Sequence, residues 1–295
     1  MIIDCHTHAY PAEVVSDPRG WAMAHGEKHW ADLVAPVDRP SIQGWSDAES
    51  MLAAMDAAEV QKAVLLGWYW EHESTCHWHN AAMAEWIQTA PDRLIGFAAI
   101  YPNANVINQL EMAKAQGFSG VGELHIGVQG FAEASPHWQA MAQWCVANHW
   151  PINCHVTEAT GQDHPDSVPT PLQEFVRIAE ANPNLKLILA HWGGGLADSE
   201  QNPKLRSVLR NVYYDCAASP LLHDMHVFRQ MIELVGIEKL LFGSDYPLRI
   251  FPRSQKTPEM LHYIQSIRNE AGLNEADLAK LLGGNFAKLM DTSRP

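Results

Sequence analysis

The sequence predicts an α/β fold, a closed (β/α)8 TIM barrel with a long insertion after its first strand. Three observations predict it. Eight short apolar runs alternate with amphipathic segments, the pattern of parallel βαβ units. Residues of metal-ligand type close the first, fifth, sixth and eighth runs. A length of 295 residues suits one α/β barrel. An open doubly wound sheet fits the alternation too, but its first and last strands can lie far apart. A barrel gathers the carboxyl ends of all its strands at one mouth, which favours the closed form.

In chain order the expected strands are Ile2–Cys5, Ala63–Gly67, Ile95–Ile100, Gly120–Leu124, Ile152–His155, Lys186–His191, Val212–Cys216 and Lys239–Gly243. Caps announce the helices between them. Ser46 with Glu49 makes a capping-box pattern ahead of Met51, Leu52 and Met55. Ser135-Pro136, Thr170-Pro171 (with Gln173) and Thr257-Pro258 each place a cap residue before a proline at the first helical position. The stretch from Ala9 to about Trp45, rich in Pro, Trp and His, is the insertion and is expected to act as a lid. Segments 68–73, 157–168, 192–195 and 246–253 follow strands two, five, six and eight and should line the mouth. No repeat, low-complexity tract or linker interrupts the pattern, so residues 1–295 read as one domain.

Composition narrows the function classes. Hydrophobic residues at 47% and charged residues at 18% fit a folded, well-buried chain. A net charge of −14 opposes nucleic acid and anionic membranes as partners. The five cysteines form no Cys-x-x-Cys pair, and Cys5, Cys154 and Cys216 fall inside apolar strands, as reduced core cysteines do. No signal-peptide pattern precedes the first strand, and no apolar run approaches the ~20 residues that span a bilayer. These features point to a cytoplasmic protein with a small-molecule substrate and leave homo-oligomerisation open.

The chemistry begins with Asp4-Cys5-His6-Thr7-His8. Alternate side chains of a strand share a face, so His6 and His8 can grip one divalent ion. A lone His-x-His is weak, but the chain repeats the setting. His155 closes Pro151-Ile152-Asn153-Cys154-His155, His191 closes Leu187-Ile188-Leu189-Ala190-His191, and Asp245 follows Leu240-Leu241-Phe242-Gly243-Ser244. Imidazoles with one carboxylate suit Zn²⁺ and leave a position open for water. Zinc lowers the pKa of that water to about 7, and Asp245 would ligate the metal, accept the water proton, or do both. The remaining histidines, His29 and His79 among them, read as surface or satisfied core residues.

The ordered set of His6, His8, His155, His191 and Asp245 resembles the amidohydrolase superfamily. Ala190-His191-Trp192-Gly193-Gly194, Phe242-Gly243-Ser244-Asp245-Tyr246-Pro247 and Leu282-Gly283-Gly284-Asn285-Phe286 are similar to its amidohydrolase-related (amidohydrolase 2) branch. The resemblance spans nearly the whole chain. It implies a metal-dependent barrel in a branch that holds hydrolases, including lactonases, and carbon–carbon lyases such as aminocarboxymuconate semialdehyde decarboxylase. In mononuclear members, residues matching His6, His8, His155 and Asp245 bind the ion, and the one matching His191 orients substrate or water. Some superfamily members carry at the position of Glu123 a carboxylate that bridges two metals, with His155 and His191 then holding the second. Otherwise Glu123 hydrogen-bonds a ligand histidine. One ion is the favoured expectation and two the alternative. His125 shares a strand face with Glu123 and carries no assigned role.

Trp68, Tyr69, Trp70, Trp192 and Tyr246 would suit a flat ring, or simply plug the barrel rim. Arg249 and Arg253 could clamp a substrate carboxylate, or pair with surface acids. Three functions are therefore weighed. The leading expectation is a hydrolase acting on a small carboxylated or cyclic ester, lactone or amide through metal-activated water. The alternatives are a non-oxidative decarboxylase of an unsaturated or aromatic acid and a catalytically silent ligand-binding barrel. Hydrolysis leads because the ligand set with Asp245 is complete for activating water.

Overall fold

Eight strands form the frame of the computed structural model, which describes residues 1–158 and 167–291. They are β1 (Ile3–Thr7), β2 (Lys62–Leu66), β3 (Leu94–Ala98), β4 (Gly120–Leu124), β5 (Ile152–Cys154), β6 (Leu187–Leu189), β7 (Val212–Asp215) and β8 (Leu240–Leu241). Each pairs with the next in parallel, in chain order. The segment after β8 then returns to β1. Cys5 N–H donates to the Phe242 carbonyl at 2.8 Å, Asp245 N–H donates to the His6 carbonyl at 2.9 Å, and Thr7 bridges to Tyr246. The ring closes as expected, and it sets the first and last strand ends side by side.

Alternation along the strands builds the barrel in layers. Ala63 and Leu65 of β2 join the large apolar core that also takes in the helices. Val64 and Leu66 instead join Ile3, Phe97, Ile188 and Leu241, a cluster drawn from strands around the ring, as a barrel interior is. Phe286 and Leu289 from the helix Asn285–Met290 belong to that inner cluster too.

The caps fared unevenly. Ser135 caps the helix Pro136–Ala147 by accepting from Trp138 N–H, as the sequence predicts. Asp47, rather than Ser46, caps Ala48–Ala57, because the Ser46 hydroxyl is taken by the Tyr246 hydroxyl at 2.7 Å. Thr170 caps nothing, since its Oγ1 accepts from Thr157 N–H at 2.9 Å and the helix starts at Leu172. Thr257-Pro258 opens no helix. The next one is Leu261–Glu270, where Glu259 Oε2 accepts from His262 N–H at 2.8 Å.

The insertion carries helices Ala12–Ser16, Pro18–His25 and Lys28–Val34. Its Tyr10, Trp21 and Trp30 pack with Trp68, Tyr69 and Trp70 of the loop after β2 in a separate apolar cluster. The buried Glu27 accepts from Glu71 N–H at 2.7 Å, and Glu71 in turn accepts from His29 N–H at 2.7 Å. At its far end Gln43 bridges to Leu248. The segment expected to act as a lid is thus fastened to the loops after β2 and β8. Residues 159–166, most of the stretch expected to line the mouth after β5, lie outside the described residues. All five cysteines are buried and free, and no described helix is long and apolar enough to cross a membrane.

Candidate metal centre

The ends of β1, β4, β5, β6 and β8 bring His6, His8, Glu123, His155, His191 and Asp245 into one group. Ligand-type atoms lie close together in three sets: His6, His191 and Asp245; His6, His8 and Glu123; Glu123, His155 and His191. Two of these residues need unusual backbone. His191 and Asp245 have φ of 55° and 63°, a left-handed region that non-glycine residues seldom enter. The turn from His191 continues left-handed through Trp192, Gly193, Gly194 and Gly195. A Cβ on Gly194 would meet Val156 at 2.7 Å and the Thr157 carbonyl at 2.8 Å, so only glycine fits there.

Hydrogen bonds at the back of the rings fix how they face the centre. His6 Nδ1 lies 3.0 Å from Asp215 Oδ2, His8 Nδ1 3.3 Å from the Leu66 carbonyl, and His191 Nδ1 3.0 Å from the Ala217 carbonyl. Carbonyls and carboxylates only accept, so each Nδ1 carries the proton and each Nε2 offers a lone pair. The Nε2 atoms of His6 and His8 then stand 3.3 Å apart, lone pair against lone pair. That arrangement is repulsive by itself and is relieved by a proton or a metal ion between the rings. Asp245 Oδ1 lies 3.7 and 3.8 Å from the same two nitrogens. The donor set fits a divalent ion.

The electrostatics agree. Burial would depress His6, but Asp215, Glu123 and Asp245 outweigh it and raise its pKa to about 10. The surrounding carboxylates thus demand positive charge at this spot, which a proton or a metal ion can supply. His8 is pushed down to about 3 by burial and by the neighbouring His6. His155 is likewise held well below its usual value by burial, then by His191 and His6. Burial pushes the Asp245 carboxyl up. Asp215 falls below the usual carboxylate range, because His6 and His191 overcome its burial penalty.

Glu123 sits between the two halves of the group. Its Oε1 is 3.0 Å from His155 Nδ1 and 3.8 Å from His191 Nε2. Its Oε2 is 3.9 and 3.8 Å from the Nε2 atoms of His6 and His8.

The expected substrate residues divide. Trp68 is at the centre, its ring 5.1 Å from that of His8. Tyr69 lies between Trp68 at 4.5 Å and His155 at 5.3 Å, its ring tilted against both. Trp68 Nε1 and the Tyr69 hydroxyl are buried without a hydrogen-bond partner among the described residues. Trp192 and Tyr246 are buried with their polar tips satisfied by Ser219 and Ser46. Trp70 is enclosed in the aromatic cluster of the insertion, where its Nε1 donates to His79. Arg249 donates to the Ser41 carbonyl at 2.6 Å, and Arg253 is exposed. The contacts of Trp70 and Arg249 lie away from the ligand-type side chains.

Sequence reasoning missed Asp215 and Asp4. Asp215 holds His6 through Oδ2 and accepts from His191 N–H and Ala217 N–H through Oδ1, at 3.1 and 3.0 Å. It closes an apolar strand as the ligands do, and that was the available signal. Asp4 Oδ1 accepts from His6 N–H at 3.1 Å and from Ser244 N–H at 3.0 Å, which ties the two ligand-bearing ends together. Burial raises its pKa to about 7.

A closed barrel with a buried divalent-metal donor set at its mouth defines a metal-dependent enzyme class, and comparison with known proteins names the family. The amidohydrolase family model matches residues 3–291, and the chain belongs to that family. A curated relative, 2-amino-3-carboxymuconate-6-semialdehyde decarboxylase of Dictyostelium discoideum, is 28% identical over 129 residues, 39% of this chain. The match spans only 34% of that relative's length. Among solved structures, 5-carboxyvanillate decarboxylase from Sphingomonas paucimobilis aligns with a TM-score of 0.73 at 18% identity, covering 98% of each chain. Dihydroxybenzoic acid decarboxylase from Polaromonas sp. JS666, solved with manganese, aligns at 0.69 and 18% identity, covering 100% of this chain and 98% of its own. A protein described as a 2-pyrone-4,6-dicarboxylic acid hydrolase from Acinetobacter baumannii aligns at 0.67 and 18% identity, covering 98% of each chain. At these identities the structural likeness shows the shared fold.

Proposed function

We propose that this protein is a metal-dependent, non-oxidative decarboxylase of a small unsaturated or aromatic acid. The observation that carries the reading is the wall beside the donor set. Trp68 and Tyr69 pack against His8 and His155, so a flat unsaturated body is what the mouth is shaped to face. The decarboxylases among the relatives act on acids of that kind, which moves this reading ahead of the hydrolysis that the sequence favoured.

His6, His8 and Asp245 would hold the ion, with Glu123, His155 and His191 adjoining. A divalent ion there supplies Lewis acidity toward an oxygen of the acid. The chain's own residues do the rest. Trp68 and Tyr69 bound the flat face of the substrate. The bond between the carboxyl group and its carbon breaks, its electron pair stays on that carbon, and carbon dioxide leaves. The same carbon takes up a proton, and Asp245 and His191 are the groups placed to hold or move it.

The test is to load the protein with Mn²⁺ or Zn²⁺, offer hydroxybenzoates and muconate-type acids, and measure carbon dioxide. Release from at least one acid is expected, with Asp245→Asn slower by about 100-fold or more. No release from any of them, together with proton release from an ester or lactone, would overturn the reading. Hydrolysis is the second reading because of one feature, the place of Glu123 between two donor sets. A carboxylate so placed suits a two-ion clamp that generates hydroxide.

A further inference from the structure

Tyr69 and His125 are two buried side chains on the same wall of the mouth, each 1% exposed. Their rings lie 5.0 Å apart, and the His125 ring stacks on that of His155 at 5.0 Å and 15°. The proton of His125 is placed by the backbone. Its Nδ1 accepts from Gly127 N–H at 3.1 Å and Val128 N–H at 3.4 Å, so Nδ1 is bare and Nε2 carries the hydrogen. That Nε2–H meets no hydrogen-bond acceptor among the described residues. The Tyr69 hydroxyl is likewise buried and without a partner. A buried donor left unpaired costs about 1–3 kcal/mol. The Tyr69 hydroxyl is such a donor, and together with the open Nε2–H of His125, on adjoining rings beside His155, it marks a place kept for a ligand.

We propose that Tyr69 and His125 together receive an anionic oxygen of the substrate, a carboxylate or phenolate, which lies against His155. The inference rests on the reading of the mouth as a site for a small unsaturated acid. It adds a second point of recognition besides the metal and names the residues that make it. With a cation held among them, the charges of Glu123 and Asp245 would be offset by it, leaving the two donors to meet an acceptor-only group. His29, reaching over from the insertion, flanks them with its ring 6.0 Å from Tyr69 and 6.3 Å from His125.

Binding without turnover tests this. Salicylate and its neutral counterpart salicylamide are titrated into zinc-loaded protein by calorimetry, for wild type, Tyr69→Phe and His125→Asn. Asn at 125 keeps a side-chain acceptor for Gly127 and Val128 while removing the distal donor, so the turn survives. Salicylate should bind wild type, and each variant should weaken it about tenfold or more at unchanged zinc content. Salicylamide should bind more weakly and lose little in either variant. Wild-type salicylate affinity in both variants would overturn the proposal, as would no salicylate binding to wild type. Equal losses for both probes would do the same, because they would mean general damage or a neutral ligand group. Salicylate binding with these losses but no carbon dioxide release from any acid would uphold the donor pair and sink decarboxylation alone.

Discussion

At the residue scale, the candidate metal centre depends as much on what stands behind the ligand-type side chains as on those side chains. Asp215 fixes the proton of His6 on Nδ1 and, through the backbone, the position of His191. Asp215→Asn keeps the shape but weakens the acceptor and permits the wrong tautomer. Metal affinity should fall about 10–100-fold, read by competition with a chelator, while the fold persists. Unchanged affinity would remove Asp215 from the centre. The meeting of His6, His8, His155, His191 and Asp245 was legible because each ends an apolar strand or directly follows one. Asp215 also ends one, but an acid closing a strand has no second histidine beside it to draw notice. Asp4 was hidden for another reason. Its role is to join two backbone segments, and such a role leaves no pattern in the chain.

At the element scale, positions of the strands were legible, while their lengths were legible for some, as for β4, and not for others. β8 shrinks from an expected five residues to Leu240–Leu241, since the chain after it leaves the ladder to turn toward β1. Cap residues misled wherever a distant group competed for the same hydroxyl, as Tyr246 does for Ser46. The turn after β6 shows what the sequence concealed. Three glycines announced a loop, but not a left-handed one that starts on His191. Gly194→Ala would combine an unfavourable φ of 56° with a close approach to the Thr157 carbonyl. It should cost about 2–4 kcal/mol in denaturant unfolding. Gly195→Ala, at φ 95° with open space around its Cβ, should cost only about 1–2 kcal/mol. Equal costs would show that the close contact behind Gly194 is without consequence.

At the scale of the molecule, the fastening of the insertion makes stability depend on pH. His79 accepts from Trp70 Nε1 at 3.1 Å and donates from Nε2 to the Ala9 carbonyl at 3.2 Å, so it joins the start of the insertion to the loop after β2 only when neutral. Burial lowers its pKa from 6.5 to about 4. The folded state therefore releases a proton that the unfolded chain would keep. Stability from this group is complete above about 6.5 and falls as the pH drops toward 4, by about 1.4 kcal/mol per unit. His79→Gln, which can keep both hydrogen bonds without titrating, should flatten that slope by one proton in unfolding measured between pH 4 and 6.5. An unaltered slope would assign the acid sensitivity to other groups.

The closure of the barrel through β1 also sets when the centre can exist. Asp4 and Ser244, 240 residues apart, share one hydrogen bond at the seam where His6 and Asp245 meet. During synthesis the first two ligands leave the ribosome long before the last carboxylate does. Until then the set of His6, His191 and Asp245 lacks its carboxylate, on a sheet that still has two open edges. Completion of that donor set is therefore a late event in the life of this chain, and an ion held there would certify that its opening and closing strands have found each other.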